Sequence, residues 1–352
     1  MAGMMRPHNS LQTPDPGGPD TGAPNLGGTI MRHISVAALL AGSMLLAGAA
    51  TADEVTLRGA SAFAQGTAFS RPWEAFVGYV NERGEGVLQI NVIGGPEAVP
   101  PFEVGNAVQS GVVDLANVTG AFYTNLIPEA DALKLSTNTI QEQRANGCYD
   151  YINQMHQEKM NAYFLARTGD NVPFHLYLTK PIDKPDLSGL TIRTTPVYRA
   201  FFEKLGANLV QTAPGEVYTA LERGSIDGYG WPIQGILDLG WDEQTKYRVD
   251  PGFYQVDVNV LVNLDVWNGL GDEQKALLEE AAVWLEEKNA ENLEINKVER
   301  EKQAEAGIET IEFTAEEAQT WSSEAQEAGW AAIEGVNPEA AEAMRGCFTA
   351  AD

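Results

Sequence analysis

Histidine and cysteine are scarce in this 352-residue chain, at four and two residues. His8 and His33 lie near the N-terminus, which leaves only His156 and His175 for the rest. No paired-histidine zinc motif, nucleophile elbow or glycine-rich phosphate loop is present. Positive charge is also in short supply: 23 Lys and Arg face 49 Asp and Glu, a formal net charge of −26. Arg6, Asp15, Asp20 and Arg32 cancel one another, so that excess sits beyond residue 52. Such a surface repels nucleic acid and anionic lipid, so both are poor partners. It repels anionic ligands at long range too, so any anion site must be local, dry and built around one or two cations. The carboxylates are abundant, but nothing in their arrangement points to a hydrolytic pair.

Long apolar runs are missing except for Ile34–Leu46, which is too short to span a membrane comfortably. It follows the basic start Met31-Arg32-His33 and precedes Ala50-Thr51-Ala52, the pattern of a secretory signal over 31–52. A membrane anchor is the competing reading. Residues 1–30, rich in Pro, Gly and small polar types, have no packing period. They read as a disordered or mis-assigned leader ahead of a true start at Met31. The exported chain then begins near Asp53 and has about 300 residues, enough for two lobes. Cys148 and Cys347 both fall in it, and an oxidising compartment favours one bridge between them over two free thiols. That bridge closes a long loop, worth roughly 4–5 kcal/mol on the entropic model.

Segments 55–58 and 87–93 read as strands, as does Val112–Asn117. Between the first two, Trp73, Phe76, Val77 and Val80 recur at helical steps. The βαβα order argues for open α/β sheets with mainly parallel strands, whose ligands bind beyond the carboxyl ends. This places Asn117, Thr119, Gly120 and Tyr123 at a rim. Pro173–Leu178 and Val256–Asn263 are further strands. From Asp272 to about Ala306 one helical pattern runs, with Leu277, Leu278, Ala281, Leu285, Leu293 and Ile295 as its stripe. It would be about 50 Å long, enough to brace both lobes; a coiled coil competes, but no strict heptad holds.

The segment 187–232 is the most informative. Leu190 and Ile192 alternate with Thr191 and Arg193, a short strand that turns a guanidinium away from two buried aliphatics. Thr194 and Thr195 follow as a cap pair, then Pro196 at the first position of a helix. A positive fork beside a helix N-terminus suits a carboxylate. The run Asp186–Arg193, then Lys204-Leu205-Gly206-Ala207 and Glu216–Gly228, resembles the substrate-binding proteins of tripartite ATP-independent periplasmic (TRAP) transporters. Gly94-Gly95-Pro96-Glu97 and Ala107–Leu115 are similar to family segments too, so the resemblance covers most of 55–300.

The resemblance implies a two-lobed periplasmic-binding-protein fold with a strand hinge and a long bracing C-terminal helix. Lobe I takes 53–172 plus 257–271, lobe II takes 173–256, and 272–352 packs across both. It implies a periplasmic receptor, not an enzyme, that closes on a small organic acid and delivers it to membrane permease subunits without itself entering the membrane. Arg193 matches the arginine that holds the ligand carboxylate. Trp231 matches a pocket position, although without the family a core tryptophan is the preferred reading. Gln255, in Pro251-Gly252-Phe253-Tyr254-Gln255, matches a residue that helps bind a cation in the 2-oxo-acid branch. Gly230 stands where that branch has an acidic metal ligand, which argues against a Ca or Na ion and for a metal-free, cofactor-free site. Tyr177, Asn117, Asp257 and Phe63 are candidates for the lining, with plain packing an equal alternative. An anion receptor serving a sensor system and a secreted α/β enzyme are the rival functions.

Overall fold

The computed structural model describes residues 54–349; the expected leader and export signal lie outside them. In chain order the strands are β1 (Val55–Ser61), β2 (Leu88–Gly94), β3 (Leu115–Val118) and β4 (Ala162–Thr168), then β5 (Phe174–Leu178), β6 (Thr191–Thr194), β7 (Asn208–Gln211), β8 (Gly228–Pro232) and β9 (Tyr247–Asp250). β10 (Val258–Asn263) and β11 (Glu309–Glu312) complete the set. They form two open sheets, β2-β1-β3-β10-β4 and β11-β9-β5-β8-β6-β7. The parallel pairs are β1–β2, β1–β3, β6–β7, β6–β8 and β9–β11. The remaining pairs, which involve β5 and β10, are antiparallel. These two strands enter from the opposite sheet, so no helical crossover forces them parallel to their neighbours.

β3 begins three residues later than its apolar pattern predicts. Val112 is 58% exposed, and the carboxylate of Asp114 is taken by the backbone and guanidinium of Arg58. The amphipathic segment does form a helix, Arg71–Arg83, which buries Trp73, Phe76 and Val80 against the first sheet. Each such side chain contributes roughly 1.5–3 kcal/mol of burial.

The chain passes from the first sheet to the second between β4 and β5, and returns between β9 and β10. The two crossing segments bond to each other through Phe174 N–H to Tyr254 C=O (2.9 Å) and Val256 N–H to Val172 C=O (2.9 Å). This paired ribbon is the strand hinge. The helical run from Asp272 braces it, but not as one apolar stripe. It is divided by a 3-10 turn, Lys288–Glu291, into helices Asp272–Glu287 and Asn292–Glu305. Leu278, Ala281 and Leu285 are buried in the first half, whereas Leu293 and Ile295 are 64% and 40% exposed in the second. There the inward face is polar because it serves main chain. Asn289 accepts from Gly169 N–H (2.9 Å), Asn292 donates to Asp170 C=O (2.9 Å) and Asn296 donates to Asn171 C=O (2.6 Å).

Cys148 opens the helix Cys148–Met160 and Cys347 lies in the last helix, Pro338–Phe348. Their Cα atoms are 5.6 Å apart and the two are joined as a disulfide, which decides between the two readings of the sequence. Among the described residues, no helix is long and apolar enough to cross a membrane.

Candidate ligand-binding site

Between the sheets lies a cavity with an empty volume of about 350 Å³. Phe63 reaches it from beyond β1, and Thr119 and Phe122 from beyond β3. Thr195, Val197 and Tyr198 follow β6, and Trp231 and Pro232 end β8. These are the carboxyl ends of the parallel strands, where open α/β sheets place their ligands. Phe69, Phe174, Val256, Asp257 and Val258 close the remaining wall. The wall is almost wholly aromatic and aliphatic. Phe69 meets Trp231 edge-on at 6.0 Å between centroids, and Phe174 meets Tyr198 in the same way at 5.3 Å. A larger opening of about 780 Å³ shares Phe63, Phe69 and Trp231 and includes Pro96 and Pro214, so it adjoins the cavity between the same two sheets.

Arg193, at the third position of β6, is fully buried beside this wall, its guanidinium carbon 5.9 Å from the Trp231 ring centre. Nε and Nη2 donate to the carbonyl of Thr212 at 3.1 and 2.8 Å, while Nη1 has no partner within the chain. Burial brings its pKa down to about 10, so it is still a cation at neutral pH. A buried charge with an unused N–H is costly unless an acceptor meets it. The indole N–H of Trp231 is likewise buried without a partner. Thr195 sits at the N-cap but makes no capping bond, and Thr194 donates to the Thr195 carbonyl instead (2.8 Å). The expected cap pair is therefore not formed, and the Thr195 hydroxyl turns instead to the Tyr198 phenol on the cavity that both line.

Asp257, just before β10, is 2% exposed. Its Oδ2 accepts from Gly120 N–H (2.7 Å) and Asn259 Nδ2 (3.1 Å); Oδ1 has only a long contact from Thr119 Oγ1 (3.4 Å). Burial pushes its pKa up to about 6. Behind it Asn259 donates to the Tyr123 hydroxyl (3.1 Å), which lies 3.1 Å from Nε2 of His156. Burial lowers the His156 pKa to about 4, so the imidazole is neutral.

The structure thus brings Trp231, Phe63 and Asp257 onto the cavity, with Arg193 beside it. It does not bring Asn117, Tyr177 or Gln255 there. Asn117 is spent on Ser61 Oγ and the Phe69 carbonyl (3.1 and 2.8 Å), which shapes the loop that carries Phe63. Tyr177 stacks on Tyr229 and donates to the Pro232 carbonyl (3.1 Å), a packing role behind β8. Gln255 opens on a separate polar cavity with Arg167 and Asp170. Sequence reading missed Phe69, Phe122, Phe174 and Tyr198. A signal for Tyr198 was present, because it falls in the first helical turn after Arg193.

Gly230 has a local cause. A Cβ there would lie 2.7–2.8 Å from three ring carbons of Tyr198, so the tyrosine occupies the space a side chain needs. The acidic ligand of metal-binding relatives has no room, and Gln255 faces another cavity. The residues present therefore do not assemble a hard-cation site in this pocket. Gly230→Ala should destabilise the protein by about 1–3 kcal/mol through overpacking and weaken ligand binding by displacing Tyr198. Urea unfolding and calorimetry on the variant check both effects, and unchanged values for both would show that Tyr198 does not set the residue at 230.

Two α/β lobes joined by a strand hinge, with an aromatic cavity at their strand ends, define a solute-binding fold. The chain belongs to the bacterial extracellular solute-binding proteins of family 7, whose model matches residues 61–334. It is 29% identical over 220 residues to a monocarboxylate 2-oxoacid-binding periplasmic protein of Nostoc, covering 58% of each chain. It is 24% identical over 221 residues to the ectoine-binding periplasmic protein TeaA of Halomonas elongata, 59% of this chain and 63% of that one. Both alignments span less than two thirds of the relative's length. Among solved structures, a TRAP periplasmic solute-binding protein from Roseobacter denitrificans with bound L-galactonate superimposes with a TM-score of 0.73 at 21% identity, over 84% of this chain and 99% of that one. One from Desulfovibrio salexigens with bound orotic acid gives 0.74 at 18%, over 83% and 98%.

Proposed function

We propose that this protein is the periplasmic receptor of a TRAP transporter, that it binds a small organic acid between its lobes, and that it hands the acid to membrane permease subunits. The observation that carries the reading is the fully buried Arg193 with an unused Nη1, beside an aromatic cavity between the two sheets. An acid carboxylate supplies the acceptor that this cation lacks, and the dry wall keeps water from competing. Relatives named for a 2-oxoacid and for ectoine, and a neighbour holding L-galactonate, agree with a small polar ligand. On this reading lobe I comprises 53–172 and 257–271 and lobe II 173–256, and closure bends the ribbon between them. Binding is proposed to need no metal and to leave the ligand chemically unchanged. The contrast is a TRAP receptor from Bordetella bronchiseptica with copurified calcium and picolinate.

A thermal-shift screen of the purified protein against small carboxylates and sulfonates, with and without calcium, tests this. A rise of several degrees with one acid, equal in both conditions, is the expected result. A calcium requirement would restore the metal, turnover of the acid would make the protein an enzyme, and no shift with any acid would remove the receptor reading.

A further inference from the structure

Buried ions are costly to leave unpaired, so a fold normally gives each one a partner of opposite sign. This chain does so almost everywhere. Among the described residues, the other buried carboxylates all have a cation: Asp114 has Arg58, Glu129 has Lys159, Asp170 has Arg167 and Glu286 has Arg144. The other buried cations have an acid in turn, Lys134 with Asp131 and Arg248 with Asp250. Two groups break the rule. Arg193 pairs with no acid and Asp257 pairs with no cation, although exposed Glu216 attracts Arg193 from a distance and Arg167 attracts Asp257. They do not pair with each other either. Asp257 lines the cavity, Arg193 lies beside its Trp231 wall, and Tyr198 on the cavity feels both charges.

The two groups differ in what they offer. Beside Arg193 stand donors without acceptors: its own Nη1 and the Trp231 indole N–H. At Asp257 stands an acceptor with capacity to spare, since Oδ1 holds only a long 3.4 Å bond from Thr119 Oγ1 while Oδ2 holds bonds of 2.7 and 3.1 Å. Resting on the receptor reading above, we infer that Asp257 is the ligand's second anchor. The acid this site prefers then carries an O–H or N–H donor, as hydroxy and amino acids do, rather than a carbonyl alone. A 2-oxo acid would turn a carbonyl oxygen toward Oδ1, placing two acceptors together in a dry site with no hydrogen to share. A site built to bond a donor rejects the analogue that lacks it far more strongly than an apolar wall rejects a change of size.

The test is calorimetry with acids that share a skeleton: lactate, alanine and pyruvate, then 2-hydroxyisovalerate, valine and 2-oxoisovalerate. The expected result is that a hydroxy or amino member binds at least about tenfold tighter than its 2-oxo partner, the consequence of one hydrogen bond to a charged group. Asp257→Asn should erase that preference, and its residual binding of the 2-oxo acid serves as the folding control. The comparison on the unmodified protein needs no variant to fold. An equal or reversed preference there, or a preference that survives in Asp257→Asn, overturns the inference and leaves the receptor reading intact. If no carboxylate binds at all, the receptor reading fails and takes the inference with it.

Discussion

Arg193→Ala should abolish ligand binding while leaving the fold in place. The guanidinium is fully buried, its Nη1 has no acceptor in the chain, and its other two donors go to a backbone carbonyl. Removing one member of a buried charge pair typically costs about 2–5 kcal/mol of binding, or at least about 30-fold in Kd. Stability should change little. A buried cation without an acid partner contributes little to folding, and its desolvation already lowers its proton affinity. Arg193→Lys should recover only a small part of the affinity, because an ammonium cannot hold the Thr212 carbonyl and a carboxylate in one planar fork. Calorimetry of both variants, with circular dichroism as the folding control, checks this. If Arg193→Ala binds the acid as the parent protein does, the carboxylate is held elsewhere.

The second large effect is on stability. Converting both Cys148 and Cys347 to serine should destabilise the protein by about 2–5 kcal/mol, as loss of a native bridge commonly does. The bridge spans a sequence separation of 199, so the unfolded chain regains a large loop entropy. It also secures the terminal helix, whose last carbonyls are read by the middle of the chain. Asn138 and Asn146 each donate to the Cys347 carbonyl at 2.8 Å, and Thr137 N–H donates to that of Phe348 at 2.9 Å. A lower urea midpoint for the double variant, with ligand affinity retained, is the expected outcome. Coincident unfolding curves would mean that these hydrogen bonds hold the helix without the bridge.

The accuracy of sequence reading varied along the chain for physical reasons. The helix at Trp73, Phe76 and Val80 was legible because one face meets a core, and apolar period reports burial. The second half of the long helical run was not. Its inward face is Asn292, Asn296 and Gln303, which donate to the main-chain carbonyls of Asp170, Asn171 and Ile233, while Leu293 faces outward. Polar residues that bond buried backbone look identical in a sequence to polar residues that face water. Arg193 and Trp231 stood out as candidates in the sequence because they lie in a continuous motif. Phe69, Phe122 and Phe174 were not, since an aromatic on a loop carries no sign of which cavity it will line.

What the sequence determined by itself is therefore local or compositional. Its charge argued against polyanionic partners, its alternating and helical periods set the α/β class, and residues 187–232 carried the family. What the tertiary structure decided is everything that depends on two distant segments meeting. It sends Gln255 and Asp257 into different cavities from one ribbon, fills the space over Gly230 with Tyr198, and leaves Arg193 and Asp257 unpaired at a common wall. The reason is that partnership and desolvation are properties of a three-dimensional environment. A residue's type states what it can bond, and only the fold states what is within reach.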